Sequence, residues 1–510
     1  MTLAADGLPS ATTRLFITAS VLAATLMNTL DTTIANVALP HIQGSVSAAR
    51  DQITWVLTSY IVSAAITIPL TGWFAGRFGR KRLMLISILG FTVASGLCGI
   101  ATNLGEIVGF RLLQGIFGAA LLPMSQAILL DINPPEKHGQ AMAVWTLGAI
   151  LGPILGPVLG GWLTDNLSWR WVFYINLPVG ALALIGISIF LAETKSATPV
   201  KLDLFGFATL GLAIGSLQLL LDRGQQLDWF YAPEIRIEAA AFGMFLFMFF
   251  LQMFTARRPF IELGLFADRN FVSCSVTGFL VGVLTYGVLS ILPQLLEGIM
   301  GYPVVTTGLV MAPIGIGTMA AVLLVGRIAR GVDGRLLMFC GLVVVATALF
   351  MLSGMSLQMG KNLVALGGFI QGVGIGLIFV PLSTLAFATL PAHFRNEGAA
   401  MFTLIRNLGS SIGISAVQVL SYRNAETVRG RLGEGLRPDN PVVASMPGHF
   451  SLTDPAGIAA LSGEVERQAQ MVAYVDGFWL LFVLAIAAIP LILLMRPPRR
   501  GAAAVTMHLE

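Results

Sequence analysis

Charge is what this chain has least of. Only 11% of its 510 residues are Asp, Glu, Lys or Arg, against 56% that are hydrophobic, whereas an ordinary soluble domain carries about 25% charged residues. A soluble globular protein is thereby excluded. The three cysteines, Cys98, Cys274 and Cys340, stand apart in apolar segments. Their spacing supports neither a disulfide framework nor a CxxC metal or redox site, and buried free thiols are expected. No HExxH and no phosphate loop occurs among the 510 residues, so zinc hydrolysis and nucleotide-driven pumping lack their residues, and no metal or cofactor is expected. Gly409 to Gly413 spells GxSxG, but in an apolar stretch without the strand-turn-helix context that an esterase nucleophile needs. The formal charge of +4 resides in short loops rather than in a basic stripe, so nucleic acid is not an expected partner.

What the chain has in abundance is apolar runs long enough to cross a bilayer. A window of about 19 residues finds fourteen, from 15–39 to 477–495. The fold class is therefore an all-α polytopic membrane protein. Arg77, Arg80, Lys81, Arg82, Lys195, Lys201, Arg257, Arg327, Arg335, Arg496 and Arg500 fall on one side of these spans. The opposite short loops hold only Arg50, Arg170, Arg223, Arg236 and Lys361. An excess of cations marks the cytoplasmic side, which predicts cytoplasmic termini. The polar stretch 421–475 is then an outer loop.

Two ionisable residues break the apolar pattern in the first half. An ionised Asp at the centre of a membrane helix costs about 2.5 to 3.5 kcal/mol on insertion scales, so Asp31, within LDTTIANVALP, is expected to have a use. Asp31 lies nine residues before Pro40 and Arg111 five after Glu106, about 13 Å and 8 Å from the outer ends of oppositely directed helices. Similar depth predicts that they meet.

Internal similarity points to two halves. Gly72 to Met84 resembles Gly326 to Met338 at a shift of 254, Gln114-Gly115 matches Gln371-Gly372 at 257, and Leu39-Pro40 matches Leu292-Pro293 at 253. The offsets predict a six-helix bundle over 1–192, two inserted helices within 193–270 and a second six-helix bundle over 271–510. Parallel repeats of this kind suit a transporter that rocks about a central site. At the matching shifts Asp31 and Arg111 align with Leu284 and Gly368, so the charges belong to the first half alone.

Several motifs together resemble the major facilitator superfamily, specifically the fourteen-helix drug:proton antiporters of the EmrB/QacA type. LDTTIANVALP is similar to the first-helix signature, and Arg111-Leu-Leu-Gln114-Gly115 to the fourth-helix motif. Gly152, Pro153, Gly156, Pro157, Gly160 and Gly161 form the fifth-helix antiporter motif GxxxGPxxGG, WRWVFYINLPVG the entry to helix six, and Gly72, Arg77, Gly79, Arg80 and Lys81 the loop motif after helix two. One departure stands out: Gly76 replaces the usual Asp, which puts a charge latch at that point in doubt.

The resemblance implies a major facilitator fold and a multi-pass protein of the bacterial inner membrane. It also implies export of hydrophobic drugs in exchange for protons, with Asp31 and Arg111 as the coupling pair. Anionic lipid headgroups would meet the basic loop. An EmrA-like periplasmic adaptor and an outer-membrane channel would meet the outer loop. A proton-coupled importer and a non-transporting receptor stay open as alternatives. In the fifth span Gly148, Gly152, Gly156 and Gly160 recur every four residues, a narrow face on which a neighbouring helix can approach closely, while Pro153 and Pro157 should bend it. Gly368, Gly372 and Gly376 make a similar seam in the twelfth. Met27, Asn28, Gln114, Gln126 and Arg406 are candidate cavity residues by helix and depth.

Overall fold

In a computed structural model of the protein, residues 9–49, 52–134, 137–193, 202–257, 259–328, 331–391, 394–437, 440 and 454–496 are described; Arg50, Lys195, Lys201 and Arg500 lie outside them. All fourteen expected spans are present, twelve as long helices and two as bent pairs. They are α1 (Ala11–Ser45), α2 (Trp55–Thr67 with Leu70–Phe78), α3 (Arg80–Ile100), α4 (Leu104–Gly118 with Leu121–Ile132), α5 (His138–Asn166), α6 (Trp171–Phe190) and α7 (Leu204–Arg223). Then come α8 (Pro233–Thr255), α9 (Arg269–Gln294 with Leu295–Ile299), α10 (Val304–Ile328), α11 (Gly334–Ser353), α12 (Lys361–Ala388), α13 (Arg395–Glu434) and α14 (Pro455–Leu494).

Short polar residues start the helices by satisfying first-turn amides. Asn103 accepts from the Glu106 N–H at 2.9 Å, Asp203 from Gly206 at 2.9 Å and Asp268 from Phe271 at 2.8 Å. Gly79, at φ 89°, makes the left-handed turn that carries α2 into α3, a conformation that glycine adopts without strain. The two segments of α2 meet at 58°, and α5 bends by 41° between Pro153 and Val158, where the missing proline donors were expected to weaken it.

Helix neighbours repeat between the halves. The pairs α1–α5, α2–α4 and α3–α6 pack as do α9–α13, α10–α12 and α11–α14. Of the inserted pair, α7 lies on α2, while α8 buries only Ile235, Phe249 and Met253. Large apolar side chains on the outer faces, among them Leu89, Leu182, Ile189, Phe247 and Phe254, are exposed, as lipid-facing positions are. At the end bearing Arg77 and Arg80, the second segments of α2 and α4 pack on α13, and Trp145 of α5 stacks on Phe379 of α12 at 5.9 Å. The halves are closed together there.

Glycines set the closest approaches. In α13 the GxSxG stretch is a packing seam: a Cβ on Gly409 would lie 2.2 Å from the Phe279 carbonyl oxygen, and one on Gly413 2.6 Å from the Val283 Cα. In α12 a Cβ on Gly372 would come 1.9 Å from the Ile314 carbonyl oxygen.

Two expectations are corrected. The stretch 421–475 is not one loop: α13 continues to Glu434 and α14 begins at Pro455, and Arg429 pairs with Glu466 across the two arms at 3.3 Å. Residues 438–439 and 441–453 lie outside the description. Hydropathy marks where the chain leaves the apolar layer; the helix runs on because Arg, Glu, Ala and Leu sustain it. Cys98 and Cys274 are buried, but Cys340 is exposed, on a flank of α11 beside the likewise exposed Phe339 and Leu336.

Candidate functional site

Asp31 and Arg111 meet inside the first half, both fully buried. The Arg111 Nη1 donates to Asp31 Oδ2 at 2.6 Å and to Gln114 Oε1 at 2.8 Å, and its Nε donates to the Val56 carbonyl at 3.0 Å. Gln114 Nε2 and Asn176 Nδ2 donate to Asp31 Oδ1 at 2.8 and 2.9 Å. Asn176 also donates to Ser95 Oγ at 2.9 Å, and Ser95 to the Phe173 carbonyl at 2.9 Å. The guanidinium lies 4.4 Å from the Tyr60 ring centroid and 5.7 Å from that of Phe173. Every named partner of the carboxylate is a donor, so this geometry holds the anion. A network of this kind in low dielectric is worth more than its separate bonds, and it ties α1 to α2, α3, α4 and α6.

The lone buried donor left over is informative. Arg111 Nη2 has no acceptor, a costly state for a charged group inside a protein. The arginine is therefore held tightly at two nitrogens and loosely at the third. In the second half the corresponding place is filled by packing: Leu284 is buried, a Cβ on Gly368 would meet Ile314 at 2.8 Å, and Gln371, the counterpart of Gln114, has an unpaired Oε1.

Beside this network, α1 lies directly on the glycine face of α5. A Cβ on Gly152 would come 2.2 Å from Thr29 Oγ1 and 2.6 Å from the Leu30 nitrogen; one on Gly156 would come 2.1 Å from Thr33 Oγ1, and one on Gly160 2.9 Å from Ile34. Gly161 stands off, its nearest neighbour being Val37 at 4.0 Å. Thr29 and Thr33 donate to the Gly148 and Gly152 carbonyls at 3.4 and 3.2 Å. Pro153 sits at the bend; the Pro157 side chain lies outside the described atoms. The helix that carries Asp31 is thus keyed along the helix whose motif the sequence singled out.

At the closed end, Arg80 pairs with Asp131, Lys81 donates to the Ser188 carbonyl at 2.7 Å, and Arg82 stands 3.6 Å from Glu193. Arg77 is exposed in the last turn of α2. A Cβ on Gly76 would meet nothing within 4 Å, so the missing acid leaves open space rather than a filled one.

Met27, Asn28, Gln114 and Gln126 are buried in the packed first half, where Asn28 Nδ2 joins Tyr60 Oη at 2.9 Å and the Gly118 carbonyl at 3.3 Å, and Gln126 Nε2 faces Met142 Sδ at 3.8 Å. Depth along a helix gives height and not facing, and in this structure these four side chains lie between packed helices. Arg406 is deep in the bundle yet partly water-accessible, its Cζ 5.3 Å from the Phe379 ring centroid. The residues that sequence reasoning missed are Asn176, Ser95, Tyr60, Thr29 and Thr33. Asn176 lay within the quoted WRWVFYINLPVG, where an amide inside an apolar span was a usable signal.

A membrane-crossing bundle with repeated halves closed together at one end, and with a buried ion pair inside the first half, defines a secondary transporter rather than an enzyme. The chain belongs to the Major Facilitator Superfamily, which residues 21–414 match. It is similar to the multidrug export protein EmrB of Haemophilus influenzae, with 34% identity over 95% of this chain and 96% of that one. The EmrB of Escherichia coli K12 is 33% identical over 93% and 94% of the two chains. The fatty acid resistance protein FarB of Neisseria gonorrhoeae is 33% identical over 95% and 96%. Among solved structures, the proton:xylose symporter XylE shares the fold, with a TM-score of 0.62 at 13% identity over 94% of this chain and 95% of that one.

Proposed function

We propose that the protein is a proton-coupled multidrug exporter of the bacterial inner membrane, expelling hydrophobic compounds by alternating access of the α1–α6 and α9–α14 bundles. The observation that carries this reading is the carboxylate of Asp31, buried and held by three donors from α4 and α6. A proton reaching Asp31 removes the charge that Arg111 pairs with and turns one acceptor oxygen into a donor. The hold of the three donors is then weakened, that of Arg111 most, which loosens α1 from α4 and α6. Because α1 is keyed to α5 through the glycine face, that release is delivered to a helix in contact with α10 and α12 of the other half. Arginine keeps its proton at working pH, so Arg111 is the fixed charge beside the carboxyl that exchanges the proton.

The names of the relatives, multidrug export and fatty acid resistance, support hydrophobic substrates. The basic end is assigned to the cytoplasm with both termini by the distribution of cations, and the glycine-proline motif of α5 favours export over import. The paired arms of α13 and α14 beyond the membrane would then face the periplasm, where an adaptor protein linked to an outer-membrane channel could dock. The test is flux across a panel of compounds in proteoliposomes with an imposed pH difference. Wild-type flux should rise with the gradient and collapse with a protonophore, while Asp31→Asn and Arg111→Ala lose the gradient-driven part. Undiminished gradient-driven flux in Asp31→Asn would assign the proton to another acid.

A further inference from the structure

The second half contains a cation that no carboxylate neutralises among the described residues. Arg406 lies eleven residues into α13 from Arg395, about 16 Å along the axis and so near the middle of a hydrocarbon layer about 30 Å thick. Among the described residues its guanidinium makes no hydrogen bond and no ion pair; its one recorded side-chain contact is the face of Phe379. The titratable group whose field reaches it is the Tyr286 phenol of α9. Arg111, by contrast, has Asp31, and each of Arg80, Arg223 and Arg335 has a carboxylate.

Phe379 is stacked on Trp145 of α5 at 5.9 Å, and the buried Trp145 Nε1 has no acceptor either. Two unpaired donors therefore flank one aromatic ring, at a contact between α5, α12 and α13. An unpaired membrane-embedded cation that serves only structure would be expected to find carbonyls or a carboxylate. Arg406 instead is only half-buried between the helices, with its guanidinium over the Phe379 ring.

We propose that Arg406, backed by the Phe379–Trp145 stack, is the headgroup subsite of the transport cavity and selects lipophilic organic anions, carboxylates above all, whose apolar bodies lie along the aromatic wall. This deepens the export reading and rests on it. A planar guanidinium offers a carboxylate two parallel donors, and stacking on Phe379 holds the guanidinium plane in place. The bound anion supplies the charge that the second half lacks, at the position related to α5 by the internal repeat.

The experiment uses three matched fluorescent probes, 1-pyrenebutanoate, 1-pyrenebutanol and 1-pyrenebutylamine, binding to the full chain in nanodiscs, with empty nanodiscs subtracted. Wild type should bind the carboxylate at least about tenfold more tightly than the alcohol, the scale of a charge-assisted bond. Arg406→Gln should abolish that preference by weakening the carboxylate far more than the alcohol, and Arg406→Lys, which keeps the charge but not the paired donors, should restore part of it. An unaltered carboxylate-to-alcohol ratio in Arg406→Gln overturns the subsite. Proton-driven flux of the alcohol in the same variant separates the two claims: its persistence leaves the export reading intact, and absence of driven flux for all three probes in wild type overturns both.

Discussion

Replacing Asp31 by Asn changes one oxygen for an NH2 group, and the structure gives the cost in detail. Asp31 Oδ2 serves Arg111, while Oδ1 serves both Gln114 and Asn176. An asparagine has one acceptor oxygen. If that oxygen faces Arg111, its NH2 confronts two amide donors; turned the other way, it confronts the guanidinium. Gln114 cannot flip to help, because its Oε1 already accepts from Arg111 Nη1 at 2.8 Å. Breaking one side of a buried pair costs about 3 to 5 kcal/mol. The lower end is expected here, since Val56 and Gln114 still accept from the guanidinium and Tyr60 still faces it.

The double variant Asp31→Asn with Arg111→Gln removes the stranded charge and should recover more than half of that loss. The assay is thermal unfolding of all four proteins in one detergent, under conditions where refolding on cooling is complete, because an irreversible scan reports a rate rather than a free energy. Coupling of at least about 2 kcal/mol between the two sites is expected, within the range for residues in one network. Additive effects, to within about 0.5 kcal/mol, would refute the claim that these residues form one unit. Neither the single nor the double variant should couple transport to protons.

The antiporter motif should not respond uniformly. Gly152→Val places a branched side chain against Thr29 and the backbone of α1 and should cost about 1 to 3 kcal/mol with loss of transport, while Gly161→Ala, with 4.0 Å of clearance, should transport like wild type; unfolding midpoints and flux check both. Gly76→Asp enters open space and should leave stability within about 0.5 kcal/mol, which thermal unfolding measures. Thr33→Val deletes the bond to the Gly152 carbonyl and should lower stability by about 1 kcal/mol in the same assay.

The spans were legible in the sequence because hydropathy is summed over many residues, and one stray position changes little. The Asp31–Arg111 contact was legible for a different reason: two rare charges at matching depth in neighbouring spans have few other ways to be satisfied. Asn176, Ser95 and Tyr60 were not, because their part depends on which faces of α2, α3 and α6 turn toward α1. The same ambiguity holds for Met27, Asn28 and Gln126, whose heights could be read but whose directions could not. The arms of α13 and α14 escaped because a polar segment can be as helical as an apolar one when its residues favour the helix.

Coupling through Asp31 requires its carboxyl to take up and give back the proton that export consumes. Adding an exported compound to the purified protein in weakly buffered detergent, with a pH-sensitive dye, reads that proton directly. Wild type should release protons on binding and Asp31→Asn should release none while still binding; equal release from both would contradict the account.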